Sequence, residues 1–160
     1  MKKLLVSTAI VMLVLSVLAS TAFAAPAMAE KQLLFKGSLR ALESYEVIFP
    51  TLFVDSGGSG EATQLGRYAI SYQVEVNIPT SIGIASAQLV AANGDSLFAE
   101  GLGQAIETGT PNVVTIVEMY TITGGTGRFA GTSGSFTVER VLNQATGITS
   151  GTIEGMIVLP

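Results

Sequence analysis

Between Arg67 and Asn77, apolar and polar side chains alternate without a break. Tyr68, Ile70, Tyr72, Val74 and Val76 fall on one face, and Arg67, Ser71, Gln73, Glu75 and Asn77 on the other. That period of two predicts an antiparallel strand with one face buried and one in water. Pro79 ends it. Upstream, Gln32 to Leu42 reads as a first strand. Tyr45 to Val54 is a second apolar stretch, but Pro50 interrupts it and limits it to an edge strand at best. Asp55 to Gly60 (DSGGSG) reads as a flexible loop.

Downstream, Ser81 to Ala92 and Ser96 to Ala105 flank Asn93-Gly94-Asp95, a hairpin signal. A two-residue turn there pairs Leu89 with Phe98 and Val90 with Leu97. Both faces of this hairpin are apolar and rich in Ala. One is therefore expected to line a cavity and the other to pack against a neighbouring subunit. Asn112 to Thr123 is the next strand. Ser135 to Leu142 and Ile148 to Leu159 form a last hairpin across Asn143–Gly147. Seven or eight short strands, with no amphipathic helical window and no linker, predict a single all-β domain. An eight-stranded antiparallel barrel is the expected architecture, because closure removes the sticky edges of Val-, Ile- and Thr-rich strands. A β-sandwich is the alternative.

The first residues follow a different pattern. Lys2 and Lys3 precede an apolar run from Leu4 to Leu18, and small residues follow up to Ala22-Phe23-Ala24 and Ala27-Met28-Ala29. This is the layout of a secretory signal peptide over 1–29, with cleavage after Ala29 or, second, after Ala24. The barrel domain is then 30–160, and the mature chain is secreted or periplasmic. The alternative is an uncleaved membrane anchor. Pro26 and the small residues before Glu30 favour cleavage, which leaves no membrane attachment.

Composition narrows the chemistry. The 160 residues contain no His, Cys or Trp. A Ser-His-Asp triad, a thiolate nucleophile, a disulfide and a His/Cys zinc site are all excluded. Loss of Lys2 and Lys3 with the signal moves the net charge from −4 to −6. Such a chain repels a phosphate backbone, so nucleic acid is not an expected partner. No cofactor and no metal are expected. Asp55 and Asp95 lie in Gly-rich turns, where turn chemistry explains them better than Ca²⁺, which needs six or more oxygen ligands.

The most distinctive segment runs from Tyr120 to Phe136 (YTITGGTGRFAGTSGSF). It is a strand, a Gly-rich turn with Phe129 as an apolar plug and Arg128 as a solvated or loop-pinning residue, then another strand. Its glycines at 124, 125, 127, 131 and 134 imply positive φ angles or close backbone contacts. A dinucleotide fingerprint would need a helix after the glycines, and a strand follows instead. The segment resembles the Gly-Gly-Thr-Gly-x-Phe-x-x-x-x-Gly strand connection of the allene oxide cyclase and dirigent barrel superfamily. It also resembles a group of secreted bacterial proteins of unassigned function with that barrel. Gly60–Gly66, Ala92–Asp95, Gly134–Arg140 and Ala145–Gly155 agree with the bacterial group, so the resemblance spans roughly 33–158. It implies an eight-stranded antiparallel barrel, often trimeric in the plant members. Plant cyclases close an oxylipin ring in the cavity, and dirigent proteins steer phenoxy-radical coupling. The catalytic residues of neither group map onto this chain, and none is assigned.

Glu118 and Arg140 are the leading site candidates. If the strands around them are neighbours and their connection centres near Phe129, Glu118 faces Arg140. The two then share an apolar lumen beside Tyr120. A buried charge needs a partner. Three readings stay open: a polar anchor or acid/base site for a ligand, a structural ion pair, or a solvated Glu118 with Val113, Thr115, Val117 and Met119 pointing inward. Tyr68 and Tyr72 belong to the same lumen as packing or lining groups. Glu61, Glu75, Glu100, Glu107, Glu139 and Glu154 read as surface acids. The expected function is binding of a small apolar or amphipathic ligand in the barrel, with a homo-oligomer (trimer or dimer) as the expected assembly. The alternatives are a structural or assembly protein with a filled barrel, and a cyclase- or dirigent-like enzyme that guides a reactive intermediate.

Overall fold

The structure, a computed structural model, describes residues 31–160; the expected signal peptide over 1–29 lies outside them. Eight strands follow one another in chain order: β1 (Lys31–Ile48), β2 (Thr51–Ala62), β3 (Gly66–Asn77), β4 (Ile82–Ala91), β5 (Ser96–Glu107), β6 (Val113–Gly125), β7 (Ser133–Asn143) and β8 (Ile148–Leu159). Each pairs antiparallel with the next, and β8 returns to pair with β1. The result is one closed up-and-down barrel, which rules out the sandwich. Its only helical element among the described residues is a 3-10 turn at Gly127–Phe129.

The alternation in β3 is realised as expected. Tyr68, Ile70, Tyr72 and Val74 are buried, while Arg67, Ser71, Gln73 and Glu75 are exposed. The barrel is apolar inside. Outside, polar residues alternate with several exposed apolar ones, among them Ile84, Leu102 and Met119, which lie directly opposite one another across β4, β5 and β6. The two faces of the β4–β5 hairpin thus differ. The inner face carries Ala85, Ala87 and Leu89, and the outer face carries the bare row.

Three sequence expectations change. Tyr45–Val54 is not one interrupted strand: β1 runs on to Ile48, and Pro50 sits in the β1–β2 turn. Asp55–Gly60 is not a loop but the middle of β2. Its glycines serve space rather than flexibility: a Cβ on Gly58 would lie 2.6 Å from Ala41 Cβ, and one on Gly60 2.7 Å from Tyr68 Cζ. Third, the β4–β5 register is Leu89 with Leu97 and Val90 with Ser96. Ala91 N–H donates to Asp95 O, and Gly94 N–H donates to Ala91 O. The loop is therefore Ala92-Asn93-Gly94, with Gly94 alone at positive φ (+91°). A three-residue turn with Gly in the left-handed position replaces the two-residue turn.

The Gly-rich connection closes one end of the barrel. Phe129 is fully buried as the plug, packed with the core that includes Leu65, Leu97 and Ile157. Arg128 pins it, as one reading held: its Nη2 donates to Leu65 O (3.2 Å), its backbone N–H donates to Asp95 Oδ2 (3.3 Å), and its guanidinium lies 4.8 Å over the Phe129 ring. Asp95 is thereby a turn residue, as expected.

Inside the barrel, large side chains face glycines on the neighbouring strand. Tyr120 is opposite Gly101, Glu118 opposite Gly103, Arg140 opposite Gly151 and Phe136 opposite Gly155. A methyl on Gly101 would sit 2.7 Å from Tyr120 Cδ1. Gly101→Ala is expected to destabilise the fold by about 1–3 kcal/mol through overpacking. Gly57→Ala, in the same kind of strand but with nothing within 4 Å of its Cβ, is expected to be neutral or mildly stabilising. Chemical denaturation of the two variants side by side checks the contrast.

Candidate functional site

Midway along the barrel the lumen changes character. The half toward Phe129 is filled. Tyr120 stacks on Phe136 (centroids 5.2 Å), and Phe35 meets Phe136 edge-on at 5.3 Å. The void left above them, between Leu39, Ile70 and Tyr120, is about 10 Å3, at the lower limit for one water. The other half is a cavity of about 300 Å3. It reaches the end where the β1–β2, β3–β4 and β7–β8 turns lie. Val47, Leu52, Val76, Val114, Ile116 and Leu142 give it an apolar wall.

Glu43, Glu118 and Arg140 line the cavity where it meets the filled half. Arg140 and Glu118 are each only 3% exposed, and Glu43 7%. Arg140 Nε donates to Glu118 Oε2 (2.9 Å) and Nη2 to Glu118 Oε1 (3.1 Å), a two-point fork. Arg140 Nη1 donates to Glu43 Oε1 and, at 3.1 Å, to Thr149 Oγ1. Thr149 is fully buried and donates to Val141 O. Glu43 also accepts from the Tyr72 hydroxyl (2.7 Å) and the Tyr45 hydroxyl (2.9 Å). The Arg140 guanidinium carbon lies 5.2 Å from the centre of the Tyr72 ring.

The β6–β7 pairing places Glu118 beside Arg140, though not as its direct partner. Glu118 is opposite Val138, and Arg140 is opposite Ile116. The fork crosses the diagonal, which a long guanidinium arm can span. The connection centres one residue before Phe129, which moves the register by two. The inward face is the expected one: Val114, Glu118, Tyr120 and Ile122 are buried, and Met119 is 71% exposed. The solvated reading of Glu118 is overturned. The six acids read as surface groups are all exposed.

Among the candidates, Glu118, Arg140 and Tyr72 come together. Tyr120 lies just below them against Phe136, under the cavity rather than on its wall. Tyr68 does not join: it is deep in the filled half, and its hydroxyl donates to Ser38 O (2.9 Å). Glu43, Tyr45 and Thr149 were missed. Glu43 fell in the gap left between two stretches that are one strand. The signal was present, since Phe35, Leu39, Ala41, Glu43 and Tyr45 share one parity along β1. Among the described residues, no group of three or more His, Cys, Asp or Glu side chains is placed to hold a metal.

Burial raises Tyr45, Tyr68, Tyr72 and Tyr120 well above the usual phenol value, and the Glu43 charge adds to it at Tyr45. The Tyr45, Tyr68 and Tyr72 hydroxyls therefore act as neutral donors. Burial alone would lower Arg140, but the Glu118 hydrogen bonds and charge, with Glu43 behind them, outweigh it and hold the guanidinium charged. Comparisons of the chain with protein-family models, with curated proteins and with solved structures found no match.

Two outcomes follow from this geometry. The four tyrosines are all the chain has, and all are raised. Folded-state values above the unfolded value mean that their stabilisation is complete below about pH 10 and is lost as pH rises beyond it. Tyrosinate absorbance should stay flat through pH 10 and then rise together with unfolding; a noncooperative rise near pH 10 would contradict the burial. Among substitutions, Arg140→Met leaves two facing buried carboxylates and should cost about 3–5 kcal/mol. Glu118→Gln keeps an acceptor and leaves Arg140 with Glu43, so it should cost less, about 1–3 kcal/mol. Urea unfolding orders the two.

Proposed function

We propose that this chain is an exported barrel of the allene oxide cyclase and dirigent type that holds a small apolar or amphipathic molecule in its open half. The observation that carries the reading is the divided lumen: an apolar-walled cavity of about 300 Å3 above a packed half that a ligand cannot enter. Binding sites are commonly concave and apolar, with a few polar groups that fix orientation. Glu43, Glu118 and Arg140 supply those groups. A wider depression of about 630 Å3 lies across β1–β6, but its lining includes outward-facing serines and acids and offers less apolar area to bury.

The N-terminal pattern supports export, with cleavage after Ala29 or Ala24. The polar exterior of strands such as β3 supports a barrel that works in water, since a membrane barrel is apolar outside. The bare row Ile84, Leu102 and Met119 supports self-association, a second copy being the surface that would cover it. A cyclase- or coupling-guide reaction is the second reading. Buried carboxylates beside the Tyr45 and Tyr72 hydroxyls, at the foot of an apolar-walled cavity, favour it.

A small apolar fluorescent reporter such as 1-naphthylamine, eleven heavy atoms by its formula, tests the main reading. Its emission should rise on binding to the mature protein. Ala105 lines the cavity near its mouth, and Ala105→Trp should abolish the rise while leaving the melting temperature within a few degrees. A rise that survives this substitution would place the reporter elsewhere and sink the proposal.

A further inference from the structure

The cavity's polar end is unbalanced in charge and in hydrogen bonding. Two carboxylates, Glu43 and Glu118, face one guanidinium, Arg140. The formal sum is −1, and every other residue lining the cavity is uncharged. The surrounding donors are already committed: Tyr45 and Tyr72 give their hydroxyl protons to Glu43, and Thr149 gives its own to Val141 O.

Counting valences sharpens the asymmetry. A carboxylate oxygen accepts about two hydrogen bonds, and a guanidinium has five N–H groups. Glu43 Oε1 is filled by Arg140 and Tyr72. Glu43 Oε2, Glu118 Oε1 and Glu118 Oε2 each accept one bond among the described residues. Three acceptor positions are left over. Of the Arg140 donors, Nε and both Nη1 hydrogens are used and one of the two Nη2 hydrogens is used, so one is left over. A ligand head that accepts finds one donor and two carboxylates in its way. A head that donates finds three acceptors.

We propose that the cavity selects its ligand by head-group charge: an apolar body in the mouth carrying a protonated amine, which settles against Glu43 and Glu118, with amphiphilic carboxylates rejected. An ammonium brings three donors and a positive charge to a place short of both. It neutralises the formal −1 where the dielectric is low and an unmatched charge is costly. A carboxylate head would add a third acid beside two buried ones, and like charges set side by side repel. Size sets the body. An apolar cavity of about 150 Å3 holds a benzene, so about 300 Å3 admits roughly a dozen heavy atoms, the scale of an eight-carbon chain.

This inference rests on the ligand-binding reading above, and one titration series separates the two. Octylamine, octanol and octanoate share a chain and differ only in the head. Calorimetric titration of each into the mature protein at neutral pH should give binding in the order amine, alcohol, acid, with roughly 100-fold between the extremes. Glu118→Gln, which makes the polar end formally neutral, should reduce that ratio by roughly tenfold. Octanoate binding as tightly as octylamine would overturn the charge selection while keeping the cavity as a binding site. Failure of all three compounds to bind would overturn the ligand-binding reading itself. The chain is acidic overall, so Ala105→Trp is the control for surface attraction. The amine preference should vanish in that variant, and its persistence would overturn the proposal. The wild-type series decides the order even if Glu118→Gln folds poorly.

Discussion

The Arg140 guanidinium organises the lumen. It sits nearly out of reach of solvent, forked to Glu118 and bonded to Glu43 and Thr149, with the Tyr72 ring beside it. Four strands (β1, β3, β6 and β7) send a side chain to this cluster, and β8 adds Thr149. Breaking it by removing the arginine would strand two acids in a low dielectric, so the barrel cannot lose it without rearranging. It also marks where the packed half ends. Below it, aromatic and branched side chains fill the space to within about 10 Å3. Above it, the wall is made of side chains too short to meet across the lumen.

Glycine placement makes that division possible. A closed barrel of eight strands is just wide enough for its interior to be filled by side chains. Two large residues on adjacent strands would collide if directly opposite. Here Gly101, Gly103, Gly151 and Gly155 stand opposite Tyr120, Glu118, Arg140 and Phe136. The glycines leave room for the long polar arms to reach the axis, where they find one another. The same device serves packing in the lower half and the polar cluster in the middle. Ala85, Ala87 and Ala99 extend it with small residues, and toward the mouth Gly83, Gly103 and Ala105 line the cavity.

Much of this was legible in the sequence, and the misses have physical causes. Alternation in β3 and the β6 parity that puts Glu118 with Tyr120 were readable because one face is buried and one is wet. The inward glutamate and arginine stood out as charges on apolar faces. The plug at Phe129 followed from its place among glycines. What failed was the reading of glycine itself. Asp55–Gly60 reads as flexible, whereas β2 uses its glycines to let Ala41 and Tyr68 approach. Separately, ending the first strand at Leu42 hid Glu43, whose role depends on strand continuity to Ile48. Register was beyond reach for a similar reason. Whether Gly94 ends a two- or a three-residue turn shifts every pairing in the hairpin, and the difference rests on a single φ angle. Tyr68 and Tyr72 share a face in sequence, but only the three-dimensional depth along the barrel separates a core residue from a site residue.

The imbalance at the cluster is hard to reconcile with a purely structural purpose. A barrel that needed only to pack could place apolar residues of similar volume at 43, 118 and 140. Replacing a buried ion network in that way is often neutral or stabilising. A purely structural ion pair could use one acid and one base and leave no formal charge. This chain keeps a second acid, surrounds it with two tyrosine hydroxyls, and sets the group beneath an apolar cavity rather than inside the packed half. Packing alone requires none of these choices, and each becomes sensible if the cluster must meet something that is not part of the chain. Strained or uncompensated groups concentrate where function competes with stability. By that criterion the proposed ligand site belongs to the cavity end of this lumen and not to its glycine-rich plug.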